Sequence, residues 1–112
     1  LKITAAQVGV VPPTVVTAEA APDAASGACL LQARLADMGE EDTVETGFEY
    51  RVRKLLTDPS DQWQQTEREP RRSTGEFSTR VDGLEPGVAY EFRGVAHHRS
   101  LTVYGDHVVF RV

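Results

Sequence analysis

Apolar residues recur at every second position through almost the whole of this chain, a period that fits β-strands with one buried face and little else. In "CLLQARLA", Cys29, Leu31, Ala33 and Leu35 fall on one face, and Leu30, Gln32 and Arg34 on the other. In "VETGFEYRVR", Val44, Thr46, Phe48, Tyr50 and Val52 oppose Gly47, Glu49, Arg51 and Arg53. The same alternation sets Phe77, Thr79 and Val81 against Glu76, Ser78 and Arg80. It sets Tyr90, Phe92, Gly94 and Ala96 against Glu91, Arg93 and Val95, and Val108, Phe110 and Val112 against Val109 and Arg111. Gly39, Asp58-Pro59, Gly75, Gly83, Pro86-Gly87 and Gly105 punctuate the runs, as turn residues do. The expected strands are 14–20, 28–36, 43–54, 62–67, 75–82, 88–97 and 103–112. Seven short strands at this spacing predict an all-β sandwich with antiparallel sheets.

A chain of 112 residues is one domain by size and long enough for a core without staples. Residues 1–13, ending in Pro12-Pro13, read either as an inter-domain linker or as an extra N-terminal edge strand, because Pro-Pro is stiff and extended. Residues 14–112 form the domain. The chain starts at Leu1 without a signal-peptide pattern, which suggests a processed product or a piece of a longer chain. The net charge of −5 argues against nucleic acid, whose phosphates require clustered Lys and Arg. No apolar run is long enough for membrane insertion. Lys occurs only at positions 2 and 54 and Asn is absent, which excludes an N-glycosylation sequon and suggests a GC-rich, microbial genome.

The stretch "GLEPGVAYEFRGVA" (residues 83–96) holds a second constraint. Pro86 presets φ and Gly87 accepts a positive φ, making a tight turn. Leu84 before it and Tyr90 after it can fold back on each other, and the Tyr90 hydroxyl can fasten an upstream backbone group. The stretch resembles the L-x-P-G-x-x-Y-x-F/V-R-x-x-A signature of fibronectin type III domains. "DMGEEDTVETGFEYR", "STGEFSTRVDGL" and "YGDHVVFRV" are similar to other segments of microbial members. The tryptophan common on the second strand of animal members is replaced here by Cys29, Leu31 and Ala33. The resemblance spans roughly residues 14–112. It implies a seven-stranded, immunoglobulin-like sandwich, one sheet of strands A, B and E and the other of C, C′, F and G. It also implies a tyrosine corner at Leu84, Pro86, Gly87 and Tyr90, and a spacer, adhesion or accessory role in a larger extracellular or cell-surface protein. The partners would be neighbouring domains of the same polypeptide, another protein or a polysaccharide, with no cofactor and no catalytic site.

Read for chemistry, the residues give few candidates. "GEED" (39–42) lacks the spaced oxygen ligands of a calcium loop and reads as a solvated acidic turn. His97 and His98 point to opposite faces of a strand, and with His107 they lack an evident third zinc ligand. Cys29 takes an inward position and reads as a small hydrophobe. Arg51, Arg53, Arg71 and Arg72 make the most basic region, with acids interleaved. Trp63 is the only tryptophan. Its plainer reading is a cover over the open edge of the core beneath the fourth strand. Its alternative is an exposed ring that stacks on a sugar or anchors a partner, as in a carbohydrate-binding module of a glycan-degrading enzyme.

Overall fold

A computed structural model describes residues 12–23, 25–53, 63–98 and 101–112. The expected linker or edge strand at 1–13 lies outside these residues up to position 11, while Pro13 is buried against the domain. Among the described residues there are ten strand segments and no helix. All pair antiparallel, in two sheets. In the first sheet, β3 (Ala28–Asp37) is central. It carries β1 (Thr14–Thr17) and β2 (Ala21–Asp23) along one edge and β7 (Gly75–Val81) along the other. In the second, β4 (Val44–Val52) pairs with β8 (Ala89–His98). β5 (Gln64–Gln65) and β6 (Glu69–Arg71) flank β4, and β9 (Leu101–Tyr104) and β10 (Val108–Arg111) flank β8.

Most inward positions named by the alternation build the core between the sheets; Val52, at the end of β4, is instead 42% exposed. Leu31, Leu35, Val44, Phe48 and Phe92 are all 1% exposed or less. Phe48 on the second sheet meets Phe77 on the first, with ring centroids 5.1 Å apart. Phe92 packs edge-on against Phe110 at 5.7 Å. The sheets approach closely at Gly94. A Cβ there would lie 2.8 Å from both the Ala33 Cβ and the Val15 Cγ1, so the absence of a side chain sets the spacing.

Three expected strands are broken, each by a contact distant in sequence. Instead of 14–20, β1 ends at Thr17, because Thr17 turns toward the second sheet and its Oγ1 accepts the Gly94 N–H at 3.0 Å. Instead of 62–67, β5 and β6 are separated at Thr66. Its Oγ1 accepts the Phe48 N–H at 2.9 Å while its own N–H donates to the Phe48 carbonyl, also at 2.9 Å. Positions 61–62 lie outside the described residues. Instead of 103–112, β9 and β10 are separated by residues 105–107, a bulge that re-aims the chain. A Cβ on Gly105 would collide with the Thr17 hydroxyl and lie 2.9 Å from the Thr17 backbone nitrogen. The bulge and the end of β1 therefore fit together only around glycine.

The turn after β7 closes the other end. Leu84 is buried, its N–H donates to the Gly27 carbonyl at 3.0 Å, and Gly87 has φ +80°. The Tyr90 hydroxyl accepts the Glu85 N–H at 2.8 Å, and its ring stacks on Phe110 at 5.5 Å. Replacing Tyr90 by Phe keeps the ring and orphans that donor. The expected loss is about 1 kcal/mol, measured as a shift in the denaturant midpoint with unchanged m-value.

Candidate functional site on the outer face of the second sheet

The strand pair β4–β8 repeats one pattern. Phe48-Glu49-Tyr50-Arg51 and Tyr90-Glu91-Phe92-Arg93 both read aromatic, Glu, aromatic, Arg. Antiparallel register sets Glu49 opposite Arg93 and Arg51 opposite Glu91. The aromatics turn into the core, and the four charges turn outward as two crossed pairs. Arg93 Nη2 lies 2.6 Å and its Nε 3.0 Å from Glu49 Oε1. Arg51 Nε lies 2.8 Å from Glu91 Oε1.

Trp63 lies across these pairs. Extending the β5 register by one residue places it opposite Arg51, on the outward side. The guanidinium carbons of Arg51 and Arg93 stand 4.1 and 4.3 Å from its ring centroid. Arg93 also lies 3.9 Å over the ring of Tyr104. His107, in the bulge, meets Trp63 edge-on at 5.0 Å. Its Nδ1 is 3.4 Å from Glu91 Oε2 and its Nε2 is 3.4 Å from Arg93 Nη1. The tautomer with its proton on Nδ1 suits both, donating to Glu91 and accepting from Arg93.

The result is a plate of stacked planar groups rather than a cleft. Each cation–π contact is worth about 0.5–2 kcal/mol, more where water is excluded. Here the Glu49 side chain is only 8% exposed and those of Arg51 and Arg93 18%. Fixed in this way, the arginines lose little further freedom when another molecule covers them. Tyr104 and Val109 on the same face remain exposed. Val95, although outward by alternation, is 1% exposed, so this side of the sheet is packed as well.

Of the residues singled out from the sequence, the plate gathers Trp63, Arg51 and His107. The expectation that Trp63 covers the core edge is corrected: its ring is held on the outer surface by two arginines. Arg53 and Arg72 are exposed, and among the described residues the arginines over Trp63 are Arg51 and Arg93. Arg71 bonds Glu69 at 3.0 Å and lies 5.7 Å over Phe77, at the opening between the sheets. Arg93, Glu49, Glu91 and Tyr104 were not among the candidates, and His107 was considered only as a zinc ligand. The duplicated aromatic-Glu-aromatic-Arg pattern is the signal that points to four of the plate's charges.

The remaining candidates lie elsewhere. Cys29 is 1% exposed, and burial pushes its thiol above the ordinary range, which disfavours the thiolate. His98 points inward and sits 3.0 Å from Glu41 of the acidic turn. Cross-strand register puts His97 opposite Thr102 and His107 beside Arg93, so the two histidines do not meet. No group of three metal-ligating side chains occurs among the described residues. Nor is any helix among them long and apolar enough to cross a membrane.

No family model matches the chain, and no curated protein matches it in sequence. Among solved structures, its fold is similar to the sensor domain of the anti-sigma factor RsgI4 from Pseudobacteroides cellulosolvens. The match covers 89% of this chain and 93% of that one, with a TM-score of 0.68 at 12% identity. At that identity the likeness bears on fold alone.

His97 gives the outer face a titration signature. Burial, and secondarily the charge of Arg68, pushes its imidazole below the ordinary 6.5, while Glu45 and Glu49 oppose the shift. Between the folded value and 6.5, the unfolded chain binds more protons. Stability should therefore fall as pH drops through that window. Titrating the ring by NMR should give a value below 6.5, and His97→Gln should flatten that part of the stability profile.

Proposed function

We propose that the chain is a non-catalytic, fibronectin type III-like module that serves as a spacer, adhesion or accessory interaction domain of a larger extracellular or cell-surface protein. The observation that carries this reading is the plate on the second sheet: Trp63 over Arg51 and Arg93, with Tyr104 exposed beside them. Trp, Tyr and Arg are the residues enriched where proteins meet partners; here Arg51, Arg93 and Tyr104 are held on strands and Trp63 immediately precedes β5. The family reading draws support from topology. Taken as interrupted single strands, β1–β2, β5–β6 and β9–β10 reduce the ten segments to seven rows, three against four, the immunoglobulin-like layout. The Tyr90–Glu85 hydrogen bond fits the tyrosine corner of such domains. A structural neighbour that is the sensor domain of an anti-sigma factor fits an accessory unit better than a free-standing enzyme. The intact mass of the native gene product tests the reading. A chain much longer than this one, with further domains, is expected; a native product of about this length overturns the module.

A second reading, a carbohydrate-binding module of a glycan-degrading enzyme, is favoured by one observation: Trp63 lies on the outer face of a sheet, where a sugar ring can reach it. It predicts retardation of the protein in polysaccharide gels and loss of that retardation in Trp63→Ala. Unchanged migration of the variant removes this reading.

A further inference from the structure

Three of the four sheet edges seen among the described residues are blunted, and one is open. The β1–β2 edge breaks at residues 18–20 and carries Pro22. The β5–β6 edge breaks at 66–68 and is followed by Pro70 within β6. The β9–β10 edge breaks at 105–107. Interruptions and prolines of this kind keep an edge from templating a foreign strand. β7 has neither. It runs for seven residues and pairs only with β3 among the described residues. Among the described residues, nothing pairs with the hydrogen-bonding groups on its far side. Beside it lies a depression of about 420 Å³, lined on one side by residues 79–82 and on the other by Gln65 and Glu69.

We propose that β7 is a self-pairing edge, through which two copies of the chain join by antiparallel β7–β7 pairing about a two-fold axis at Ser78. A two-fold antiparallel pair must centre on a residue, because directly opposed residues share a face. Three centres overlap most of the strand. Centring on Phe77 sets Glu76 against Ser78 and leaves the charges unused. Centring on Thr79 sets Glu76 against Asp82, twice. Centring on Ser78 overlaps all seven residues of "GEFSTRV". It sets Glu76 of each copy against Arg80 of the other, twice, on the outer face, and Phe77 against Thr79 on the inner one. Opposite charges directly across a strand pair stabilise it, and like charges destabilise it.

Both partners are available. Glu76 is exposed and makes no ion pair among the described residues, with Arg34 across from it on β3. Arg80 is 57% exposed, with Asp82 3.1 Å from its Nε and the Ser26 hydroxyl 3.4 Å from its Nη2. Exchanging one exposed partner for another costs little. The joined sheets run on continuously from β3 through both copies of β7 to the second β3. A seven-residue strand pair buries less than a standard stable interface, so the dimer is weak and dependent on concentration.

Sedimentation equilibrium of the 112-residue chain tests this. The expected result is a monomer–dimer equilibrium that shifts toward monomer at high salt, where exposed pairs are screened. Glu76→Arg and Arg80→Glu each set like charges across both positions and should weaken the dimer at least tenfold. An equimolar mixture of these two variants again opposes unlike charges and should associate as the unaltered chain does. Should a reversal disturb folding, Glu76→Gln and Arg80→Gln provide milder versions, expected to weaken the dimer and flatten its salt dependence. A mass that stays monomeric up to the solubility limit overturns the proposal. So does a dimer indifferent to the reversals, or a mixture no tighter than its components.

Discussion

The antiparallel pairing of β4 with β8 is the interaction on which the rest of the structure depends. Eight residue pairs run from Glu45–His97 to Val52–Tyr90, and each face of this ribbon has its own role. Inward, Phe48 and Phe92 anchor the core. Outward, Glu49, Arg51, Glu91 and Arg93 form the crossed ion pairs beneath Trp63. A slip of either strand by one residue would turn its two aromatics to solvent and its two charges into the core. Both faces therefore specify the same register, and each protects the other against the neighbouring alignment.

Closure of the sandwich follows from small residues and hydroxyls placed where the sheets converge. Gly94 admits Ala33 and Val15 from the first sheet. The bulge after β9 leaves the Gly94 N–H without a ladder partner, and Thr17 supplies one. The Gly94 carbonyl in turn accepts the Gly105 N–H at 2.9 Å. Close packing and satisfied backbone groups thus require the same interruption in the last strand. That interruption also delivers His107 to the edge of Trp63. At the other end, Gly87 donates to the Val112 carbonyl at 3.2 Å, and Arg111 Nη1 donates back to the Gly87 carbonyl at 2.8 Å. Arg111 and Val112 are thereby tied to the turn that Tyr90 fastens.

Local pattern carried much of this fold and less of its surface. The period of two places Leu31, Leu35, Phe48 and Phe92 inside because each strand has one core face, and that information is contained within ten residues. The strand breaks depend on Thr17 reaching Gly94 and Thr66 reaching Phe48, partners 77 and 18 positions away; no local period encodes them. The site divides in the same way. Arg51, Arg53, Arg71 and Arg72 look like one basic region when read along the chain, but Arg51 stacks on Trp63 while Arg71 bonds Glu69 and lies over Phe77. Trp63 looks like core because it is large and solitary. Its place is decided instead by the alignment of β5 with β4, a pairing set by tertiary contacts. What the sequence does hold is the repeated aromatic-Glu-aromatic-Arg run, which becomes informative once the two strands are known to be antiparallel.

The charge balance of the plate constrains what can be recognised there. Each arginine beneath Trp63 is already matched by a glutamate at hydrogen-bond distance, and the whole chain carries −5. A polyanion arriving at this face would meet neutralised guanidinium groups and, farther out, a repulsive field. The affinity available lies in the exposed surface of Tyr104 and Val109 and the accessible part of half-buried Trp63, fixed by the ion pairs beside them. Such a surface rewards shape and stacking over charge, and its binding should be correspondingly insensitive to salt. In this the plate differs from the β7 edge, where backbone pairing and two exposed ion pairs would make association depend on ionic strength. The two surfaces lie on opposite sheets, so one contact need not exclude the other.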